Sequence, residues 1–279
     1  MFIEKAYFAP RVCARSSRDF EAPCIVARMF SIQRSLANDE RFEATDPLHV
    51  CCHVLRGGKC EIRSFSMCNV LAGKAAAELE SLTRQTGFEP RSQMLAQDTQ
   101  ADTVYNITEG VVRLARILPD GRRLVIGFAV PGEFIGMAPG DRNPFSADAL
   151  TPVTACRFER GQFERFVAKQ PSLMRRLHDI TSRELVRTQQ HIANLGCRSA
   201  IERVACFILG LQEKLDGGAR RLDLIPLPMS RQDIADHLGL TIETVSRMFT
   251  KLYRDGVLEV ARDRVRIVDA PRLQALAAI

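Results

Sequence analysis

The sequence has no uninterrupted apolar run long enough to span a membrane. A membrane-spanning helix needs about twenty predominantly apolar residues, and the 279-residue chain contains no such stretch. The first residues, Met1-Phe-Ile-Glu-Lys5, also lack the apolar segment and cleavage pattern of a secretory signal. These absences predict a cytoplasmic protein with no membrane partner.

The sequence also has few of the features that enzymes use. It contains five histidines, no glycine-rich phosphate loop and no nucleophile-elbow motif. We therefore expect that the protein is not an enzyme. With 279 residues, of which 46% are hydrophobic and 26% are charged, the chain is long enough for two globular domains. Its net charge of +6 permits a polyanionic partner without requiring one.

The clearest pattern in the chain is a helix-turn-helix between residues 229 and 252. Ser230 can cap a short first helix, Gly239 supplies the positive φ of a tight turn, and Thr241 can cap a second helix. Small and apolar residues at helical spacing predict the faces on which the two helices pack: Ile234, Ala235, Leu238, Val245, Met248, Phe249 and Leu252. An ordinary αα-hairpin is the alternative, but the matching offsets favour DNA binding.

The outer face of the second helix carries the candidate DNA contacts, because this face of a helix-turn-helix enters the major groove. Its polar residues are Glu243, Thr244, Ser246, Arg247 and Lys251. An arginine can bind guanine through two hydrogen bonds, and a carboxylate can accept one from cytosine. We therefore expect double-stranded DNA as the partner, with Arg247 on guanine, Glu243 on cytosine and Lys251 on phosphate.

Two short alternating runs follow Gly256, which ends the second helix. They predict a β-hairpin across Arg262-Asp263, and thus a winged helix-turn-helix. The hairpin carries three arginines, Arg262, Arg264 and Arg266. They suit either phosphate contacts or an ordinary solvated surface.

Between residues 88 and 165, short alternating runs are separated by turns such as Pro119-Asp-Gly121 and Pro131-Gly132. Regularly spaced short strands indicate an antiparallel β-barrel or β-roll. Helical patterns precede and follow these strands, from Gly73 to Arg84 and from Gly161 to Val167. The patterns together predict an α+β protein.

A long helical pattern begins at Pro171 and runs to about Leu195. One stripe of this helix has apolar ends and a polar middle: Leu173, Leu177, Ile180, Glu184, Thr188, His191 and Leu195. A two-fold DNA reader needs a second copy, so we expect this stripe to form the seam of a homodimer. In the alternative interpretation, the helix packs on the β-roll and pairs with nothing.

These patterns divide the chain into four parts. A weakly ordered arm comes first (1–45), followed by a cysteine-rich segment and β-roll sensor domain (46–170). The dimerisation helix comes next (171–196), and the winged helix-turn-helix domain follows (197–279).

Nine cysteines are many for a cytoplasmic chain, and the odd number argues against a complete disulfide framework. Four of them lie close together in the sequence: Cys51, Cys52, Cys60 and Cys68. In a reducing compartment such a group favours metal binding over disulfides. A zinc site that recruits His49 or His53 is one alternative, and thiol chemistry at Cys197 and Cys206 is another.

The order of β-roll, long helix and winged helix-turn-helix resembles the CRP/FNR family of bacterial transcription regulators. Three stretches carry the resemblance, which covers roughly residues 50 to 279: Pro131–Gly136, Ala149–Phe158 and Leu240–Arg247. The resemblance implies a β-roll like a cyclic-nucleotide-binding domain. It also implies that Glu243, Ser246 and Arg247 read an inverted repeat of the TTGAT…ATCAA type, and that the turn Leu118–Arg122 contacts RNA polymerase.

Within this family, the stretch Cys60–Cys68 resembles the cysteine motif of FnrN-like and FixK-like oxygen sensors. Cys156 falls where those proteins have a remote fourth cysteine. The resemblance therefore implies a [4Fe–4S] cluster held by Cys52, Cys60, Cys68 and Cys156, and control of microaerobic respiration or nitrogen fixation. Gly57 stands where the family usually has another cysteine, so Cys52 or its neighbour Cys51 supplies the remaining ligand.

The family's cyclic-nucleotide pocket has the sequence Gly-Glu-Leu followed by an Arg-Ser pair. In this chain Gly132-Glu133 is present, but no arginine follows at the matching position, and Arg142 is out of pattern. An arginine is the usual partner of a phosphate group in such a pocket. We therefore expect no response to cAMP.

Overall fold

The computed structural model of the protein describes residues 66–216 and 224–278. The predicted N-terminal arm lies outside these residues, as do several positions named by the cysteine hypothesis: His49, Cys51, Cys52, His53, Gly57 and Cys60. No helix in the described ranges is long and apolar enough to cross a lipid bilayer.

Residues 84–159 form a β-roll of two four-stranded antiparallel sheets. The first contains β1 (Arg84–Phe88), β3 (Thr103–Glu109), β6 (Phe134–Ile135) and β8 (Val153–Glu159), in the order β1-β8-β3-β6. The second contains β2 (Gln93–Leu95), β4 (Val112–Ile117), β5 (Arg123–Ala129) and β7 (Ser146–Ala149), in the order β2-β7-β4-β5. The predicted β-roll is confirmed.

The interior of the roll is filled with apolar side chains. Successive residues of a strand point to opposite faces, and in β7 this places Ala147 and Ala149 in the interior. The ring of Tyr105 meets that of Phe88 edge to face, with the ring centroids 5.6 Å apart. The roll is therefore a packed platform for the helices around it.

A second apolar core, here called the outer core, covers the outer face of β3 and β8. Four elements supply it: the 3₁₀ turn Met67–Val70, α1 (Gly73–Ser81), α2 (Arg160–Ala168) and the start of α3 (Pro171–Cys197). Phe158 and Phe163 are fully buried in it, with ring centroids 5.0 Å apart. Its other buried members are Met67, Cys68, Leu71, Leu79, Val104, Cys156, Phe166, Val167, Leu173 and Leu177.

The stripe of α3 that was predicted to be the dimer seam packs on its own chain instead. Leu173 and Leu177 are buried in the outer core. Near the other end of the helix, the ring of His191 stacks on that of His237, with centroids 4.2 Å apart. Of the seven predicted seam residues, only Thr188 is exposed. The seam prediction was therefore wrong, because the periodicity identified a covered face whose cover is intramolecular.

A different stripe of α3 carries exposed apolar side chains. Met174, Leu185 and Ile192 are 50%, 59% and 64% exposed, respectively. Their separations of eleven and seven residues place all three on one side of an α-helix, since eleven- and seven-residue steps both correspond closely to whole turns. Among the residues that the structure describes, nothing covers these three side chains, so this side of α3 is an exposed apolar surface.

The C-terminal part is a winged helix-turn-helix, as predicted. It contains α4 (Ala200–Asp216), α5 (Arg231–Leu238), α6 (Ile242–Arg254) and α7 (Ala270–Ala277), together with an antiparallel sheet of β9 (Ile225–Pro226), β10 (Leu258–Val260) and β11 (Arg264–Ile267). The sequence analysis did not predict α7, whose Leu273 is buried in the core of this domain. This core also includes Val204 and Ile208 of α4.

One arginine joins the end of α3 to the turn of the helix-turn-helix. Arg203 of α4 donates to the carbonyl of Leu195 at 2.7 Å, near the end of α3. It also donates to the carbonyl of Leu238 at 3.0 Å, at the end of α5. A cation is favoured at both positions because helix C-termini carry partial negative charge. The orientation of α5 is therefore tied to that of α3.

His237 holds α5 against the roll. Its Nδ1–H donates to the carbonyl of Val125 in β5 at 3.0 Å, and its ring lies 5.5 Å from that of Phe128, measured between centroids. Burial, with the neighbouring His191 ring as the second cause, lowers the pKa of His237 to about 4. The imidazole is therefore neutral at pH 7 and packs as an aromatic ring.

This buried histidine predicts a loss of stability in mild acid. The pKa of His237 is near 6.5 in the unfolded chain and about 4 in the fold, so the unfolded state takes up the proton first as the pH falls. The resulting loss of unfolding free energy is about 2 kcal/mol between pH 7 and pH 5. Urea unfolding at the two pH values measures it. His237→Phe is expected to have a smaller pH dependence, and an unchanged one would contradict the assignment.

Candidate DNA-binding surface and cysteine site

Side chains at the two helix starts fix the helix-turn-helix. At the start of α5, Asp233 N–H donates to Ser230 Oγ and Ser230 N–H donates to the Asp233 carboxylate, both at 3.0 Å. This reciprocal pair is a capping box. At the start of α6, the N–H of Thr244 donates to Thr241 Oγ1 at 3.2 Å. Between the helices, Gly239 has a φ of 61°, which glycine adopts without steric cost.

These caps hold α6 with its apolar face inward and its polar face outward. Its buried residues are Val245, Phe249 and Leu252. Four of the five predicted DNA contacts are exposed on the other side: Glu243, Ser246, Arg247 and Lys251. Thr244, the fifth, is half-buried, and its hydroxyl lies 3.0 Å from that of Thr241. The Thr244 hydroxyl therefore also serves the helix cap.

Glu243 and Arg247 lie one helical turn apart on the exposed face of α6. A hydrogen bond from its own backbone lowers the pKa of Glu243, and the Thr241 hydroxyl and the charge of Arg247 add to this effect. The carboxylate is therefore ionised at neutral pH and accepts hydrogen bonds, while the guanidinium donates them. This surface can bind groups that present donors and acceptors side by side, as base-pair edges do.

The wing presents three exposed arginines, of which two have acidic partners. Arg264 Nε lies 3.0 Å from Asp263 Oδ1, and Arg266 Nη1 lies 3.0 Å from Glu259 Oε2. Exposed ion pairs of this kind contribute about 0–1 kcal/mol. A phosphate could therefore replace the carboxylates at small cost.

Sequence reasoning missed Arg231, the first residue of α5. Its guanidinium lies over the ring of Phe249 in α6, 3.8 Å from the ring centroid. Burial lowers the pKa of Arg231. A cation over an aromatic face is a favourable contact, so this pair adds to the packing between the two helices. Arg231 and Phe249 are eighteen positions apart, so no local sequence pattern predicted this contact.

Ion pairs between the roll and α5 also escaped the sequence analysis, because the partners lie more than a hundred residues apart. Arg113 of β4 binds Asp233 at 2.7 Å. Arg123 of β5 binds Asp233 at 3.0 Å and Asp236 at 2.7 Å. Burial would raise the pKa of Asp233, but hydrogen bonds from Ser230 and Arg113 outweigh it, so its pKa is lowered. The carboxylate that caps α5 therefore also fastens it to the roll.

A second group of charges joins the roll to α3 and α4 through Glu133. Lys214 Nζ of α4 lies 3.0 Å from Glu133 Oε1, and Arg187 Nη1 of α3 lies 3.6 Å from the same atom. Lys214 also donates to the carbonyl of Phe128 at 3.2 Å. Glu133 follows Gly132 in the family's cyclic-nucleotide motif, so the carboxylate at this position is already used by cations of the chain itself.

The structure brings the two described cysteine candidates into one apolar core. Cys68 in the 3₁₀ turn and Cys156 in β8 are 5% and 6% exposed, and both belong to the outer core. Ser66 Oγ accepts the N–H of Cys68 at 3.1 Å and so fixes the start of this turn. A thiolate in apolar surroundings is costly unless a cation compensates its charge. Two sulfur donors in one core are compatible with a metal centre, and buried neutral thiols in such a core are also ordinary packing residues.

Cys52 and Cys60 lie outside the described residues, so the four-cysteine site stays a prediction. Within residues 66–216 and 224–278, no group of three or more His, Cys, Asp or Glu side chains is placed to hold a metal ion. Across the strand pair from Cys156, a polar group faces the outer core. This is the amide of Asn106, whose Oδ1 is buried without a hydrogen-bond partner in the described part of the chain.

The two cysteines of the thiol hypothesis differ in their surroundings. Cys197 is exposed at the end of α3. Cys206 of α4 is half-buried, with its sulfur 3.9 Å from the carbonyl of Ala277. Burial raises the pKa of Cys206. A raised pKa lowers the thiolate fraction and hence the reactivity, so Cys206 is poorly suited to redox chemistry.

Two family models match this chain. The model of the cyclic nucleotide-binding domain matches residues 86–170, which include most of the roll and α2. The model of the Crp-like helix-turn-helix domain matches residues 202–276, from α4 to α7. The two models therefore cover the roll and the winged helix-turn-helix separately.

Several characterised proteins are similar over most of the chain. It is 46% identical to the transcriptional activatory protein AadR of Rhodopseudomonas palustris and 45% identical to the nitrogen fixation regulation protein FixK of Bradyrhizobium diazoefficiens. Each comparison covers 78% of this chain and 92% of the relative. The structure of FixK2 from Bradyrhizobium japonicum matches with a TM-score of 0.65 and 31% identity, over 71% of this chain and 98% of that chain.

The double role of Asp233 gives a stability prediction. Asp233→Asn keeps the shape of the side chain but removes the charge that Arg113 and Arg123 share. Arg113 and Arg123, both partly buried, would each lose an ion-pair partner. We therefore expect the unfolding free energy to fall by about 2 kcal/mol. Asp263→Asn on the exposed wing is the matched control, with an expected change of about 0.5 kcal/mol or less. Urea unfolding of both variants measures the difference, and equal losses would refute the assignment.

Proposed function

The chain belongs to the CRP/FNR family of bacterial transcription regulators, and on this basis we propose that it is a transcription activator of the FixK and FNR type. It binds an inverted DNA repeat as a homodimer, and its activity responds to oxygen through a cysteine-bound iron–sulfur cluster. The exposed polar face of α6, fixed within a winged helix-turn-helix, is the observation that carries the DNA-binding part. The names of AadR and FixK support activation and a link to nitrogen fixation.

The proposed DNA contacts follow from the exposed face of α6. Arg247 binds guanine through O6 and N7, Glu243 accepts a hydrogen bond from the cytosine amino group, and Ser246 contacts a neighbouring base edge. Lys251 is four residues further along the helix and binds phosphate. Thr244 contributes less, because its hydroxyl already interacts with the helix cap. With two copies, the half-sites lie about 34 Å apart, one turn of DNA.

The proposed homodimer uses the exposed stripe of α3 and not the stripe that packs on the roll. Met174, Leu185 and Ile192 supply its apolar contacts. Exposed apolar residues repeated along one side of a long helix are typical of a helix-pairing surface. The helix has 27 residues and these three side chains supply its apolar contact surface, so the dimer interface is weak. Pairing therefore depends on how firmly α3 is held by the rest of the chain.

The proposed oxygen response begins at the cysteines. A [4Fe–4S] cluster, when bound, would supply the oxygen sensitivity, and in the FnrN-like and FixK-like sensors that this chain resembles, loss of the cluster disables dimerisation. Cys52, Cys60, Cys68 and Cys156 would hold it. Cys68 and Cys156 share the outer core with Leu173 and Leu177 of α3. Release of the cysteine segment therefore loosens the core that anchors the start of the dimer helix.

Two further features belong to this proposal. Glu133 is occupied by Lys214 and Arg187, which supports the absence of a cAMP response. The β4–β5 turn, where the side chains of Asp120 and Arg122 are 49% and 78% exposed, is the proposed contact with RNA polymerase.

Two alternatives to the iron–sulfur cluster were considered. Control by thiol chemistry is the weaker hypothesis, because burial raises the pKa of Cys206 and Cys197 has no partner cysteine among the described residues. A zinc site is the second alternative.

Base reading by Arg247 gives the first functional prediction. Arg247→Ala is expected to weaken binding to the cognate repeat by about 1–3 kcal/mol and to relax the preference at one base pair. Lys251→Ala, the matched control, is expected to weaken cognate and random DNA equally, because a phosphate contact carries no sequence information. Titrations of both DNAs at one salt concentration measure this. An equal loss on both DNAs for Arg247→Ala would exclude base reading.

The corrected seam gives the second prediction. Leu185→Asp places a charge in the proposed dimer interface, so the protein should sediment as a monomer and lose affinity for the full repeat. Arg183→Glu is the control, since this exposed residue lies about 160° away around the helix. It should stay dimeric under the same anaerobic conditions. Sedimentation velocity decides between the two surfaces, and a dimeric Leu185→Asp protein would contradict this seam.

The cluster gives the third prediction. Anaerobically purified protein should be brown, contain iron and sulfide, and bleach in air. Cys60→Ser and Cys156→Ser should abolish the colour, whereas Cys13→Ser should not. Single and double replacement of Cys51 and Cys52 should identify the remaining ligand. A colourless anaerobic preparation with one zinc ion per chain would instead support the zinc site.

A further inference from the structure

One buried polar side chain that faces the outer core, Asn106, makes no hydrogen bond that is seen within the described residues. Asn106 is 1% exposed and lies on β3, in the middle of the first sheet. Its Oδ1 has no hydrogen-bond partner within residues 66–216 and 224–278. Leaving a buried polar atom unpaired is destabilising, and buried polar atoms without partners are rare in folded proteins.

Strand register places this amide next to a predicted cluster ligand. In the pairing of β3 with β8, Asn106 lies directly opposite Cys156, and the pair two residues away joins Val104 to Phe158. Val104, Phe158 and Cys156 all point into the outer core. Directly opposed residues share a face of the sheet, with Cβ atoms about 4.5–5.5 Å apart. The Asn106 amide and the Cys156 sulfur are therefore side by side.

The second buried asparagine of the roll shows what a structural role looks like. Asn143 is 3% exposed. Its Nδ2 donates to Thr99 Oγ1 at 3.1 Å and to the carbonyl of Gln100 at 3.3 Å. Asn143 thus joins two loops, whereas no such hydrogen bond is made by Asn106 within the described residues. The two side chains are chemically identical, but within the described residues only Asn143 makes hydrogen bonds that hold parts of the fold together.

We propose that Asn106 is a positioning residue for the cluster, with its amide N–H donating to the sulfur of Cys156 when that sulfur is metal-bound. This inference rests on the proposed function. An amide offers donors at one end and an acceptor at the other, and rotation about its last bond exchanges the two. Hydrogen bonds to ligand sulfurs stabilise their negative charge and raise the reduction potential of a cluster. Without the cluster, the same amide only weakens the fold.

The proposal predicts opposite effects of one substitution in the two forms of the full-length protein. In the cluster-free form, Asn106→Leu should raise the urea midpoint, because it removes an unpaired buried amide. In the cluster-bound form, the same change should make the reduction potential more negative and make the visible absorbance decay severalfold faster in air. Asn143→Leu, the matched control, should lower the urea midpoint and leave the reduction potential unchanged.

Each of the other outcomes is decisive. A lower urea midpoint for cluster-free Asn106→Leu would mean that the amide supports the fold, and would overturn the proposal. A raised midpoint with an unchanged reduction potential and decay rate would overturn it as well, while leaving the proposed function intact. Wild-type protein that contains no iron after anaerobic purification would overturn the proposed oxygen response and this inference together.

Discussion

The outer core is the constraint on which the rest of this structure depends. Three parts of the chain meet in it: the turn that contains Cys68, the strand that contains Cys156, and the first turns of α3 at Leu173 and Leu177. Apolar interiors are closely packed, so a displacement of one of these three parts changes the packing of the other two. A structural change at the cysteines therefore reaches the start of α3 directly.

The same helix carries that constraint to the DNA-binding surface. α3 has 27 residues and spans about 40 Å. At its far end, Arg203 binds the carbonyls of Leu195 and Leu238, and His191 stacks on His237. Because α5 is also fastened to the roll by Asp233, its position follows from both contacts. A signal at one end of α3 can thus alter both the proposed dimer seam and the placement of α6.

The sequence was most informative where structure is local. The capping residues Ser230 and Thr241, the turn at Gly239 and the buried face of α6 are all encoded within a few residues of each other, so the exposed positions of Glu243, Ser246 and Arg247 followed from spacing alone. The β-roll was also predicted, since alternation and turn residues mark each strand. The strands β2 and β6 were missed because three and two residues are too few to show an alternation. The helix α7 was also missed, although it has as many residues as α5.

Features that depend on distant partners could not be found in this way. The stripe of α3 from Leu173 to Leu195 was correctly identified as a buried face. Periodicity alone, however, cannot show whether such a face packs on its own chain or on a second copy. The ion pair of Asp233 with Arg113, and the strand pairing that places Asn106 opposite Cys156, join residues far apart in sequence. They depend on the register of strands and on the docking of α5. No local sequence pattern predicts either of these.

The most direct test of this account is amide hydrogen exchange on the full-length protein, compared before and after exposure to air. The account predicts that the turn 67–70 and the first turns of α3 lose protection together when the visible absorbance disappears, while β4 and β5 keep theirs. Bleaching without any change in exchange at the start of α3 would contradict the central claim that the cysteines act on the dimer helix through a shared core.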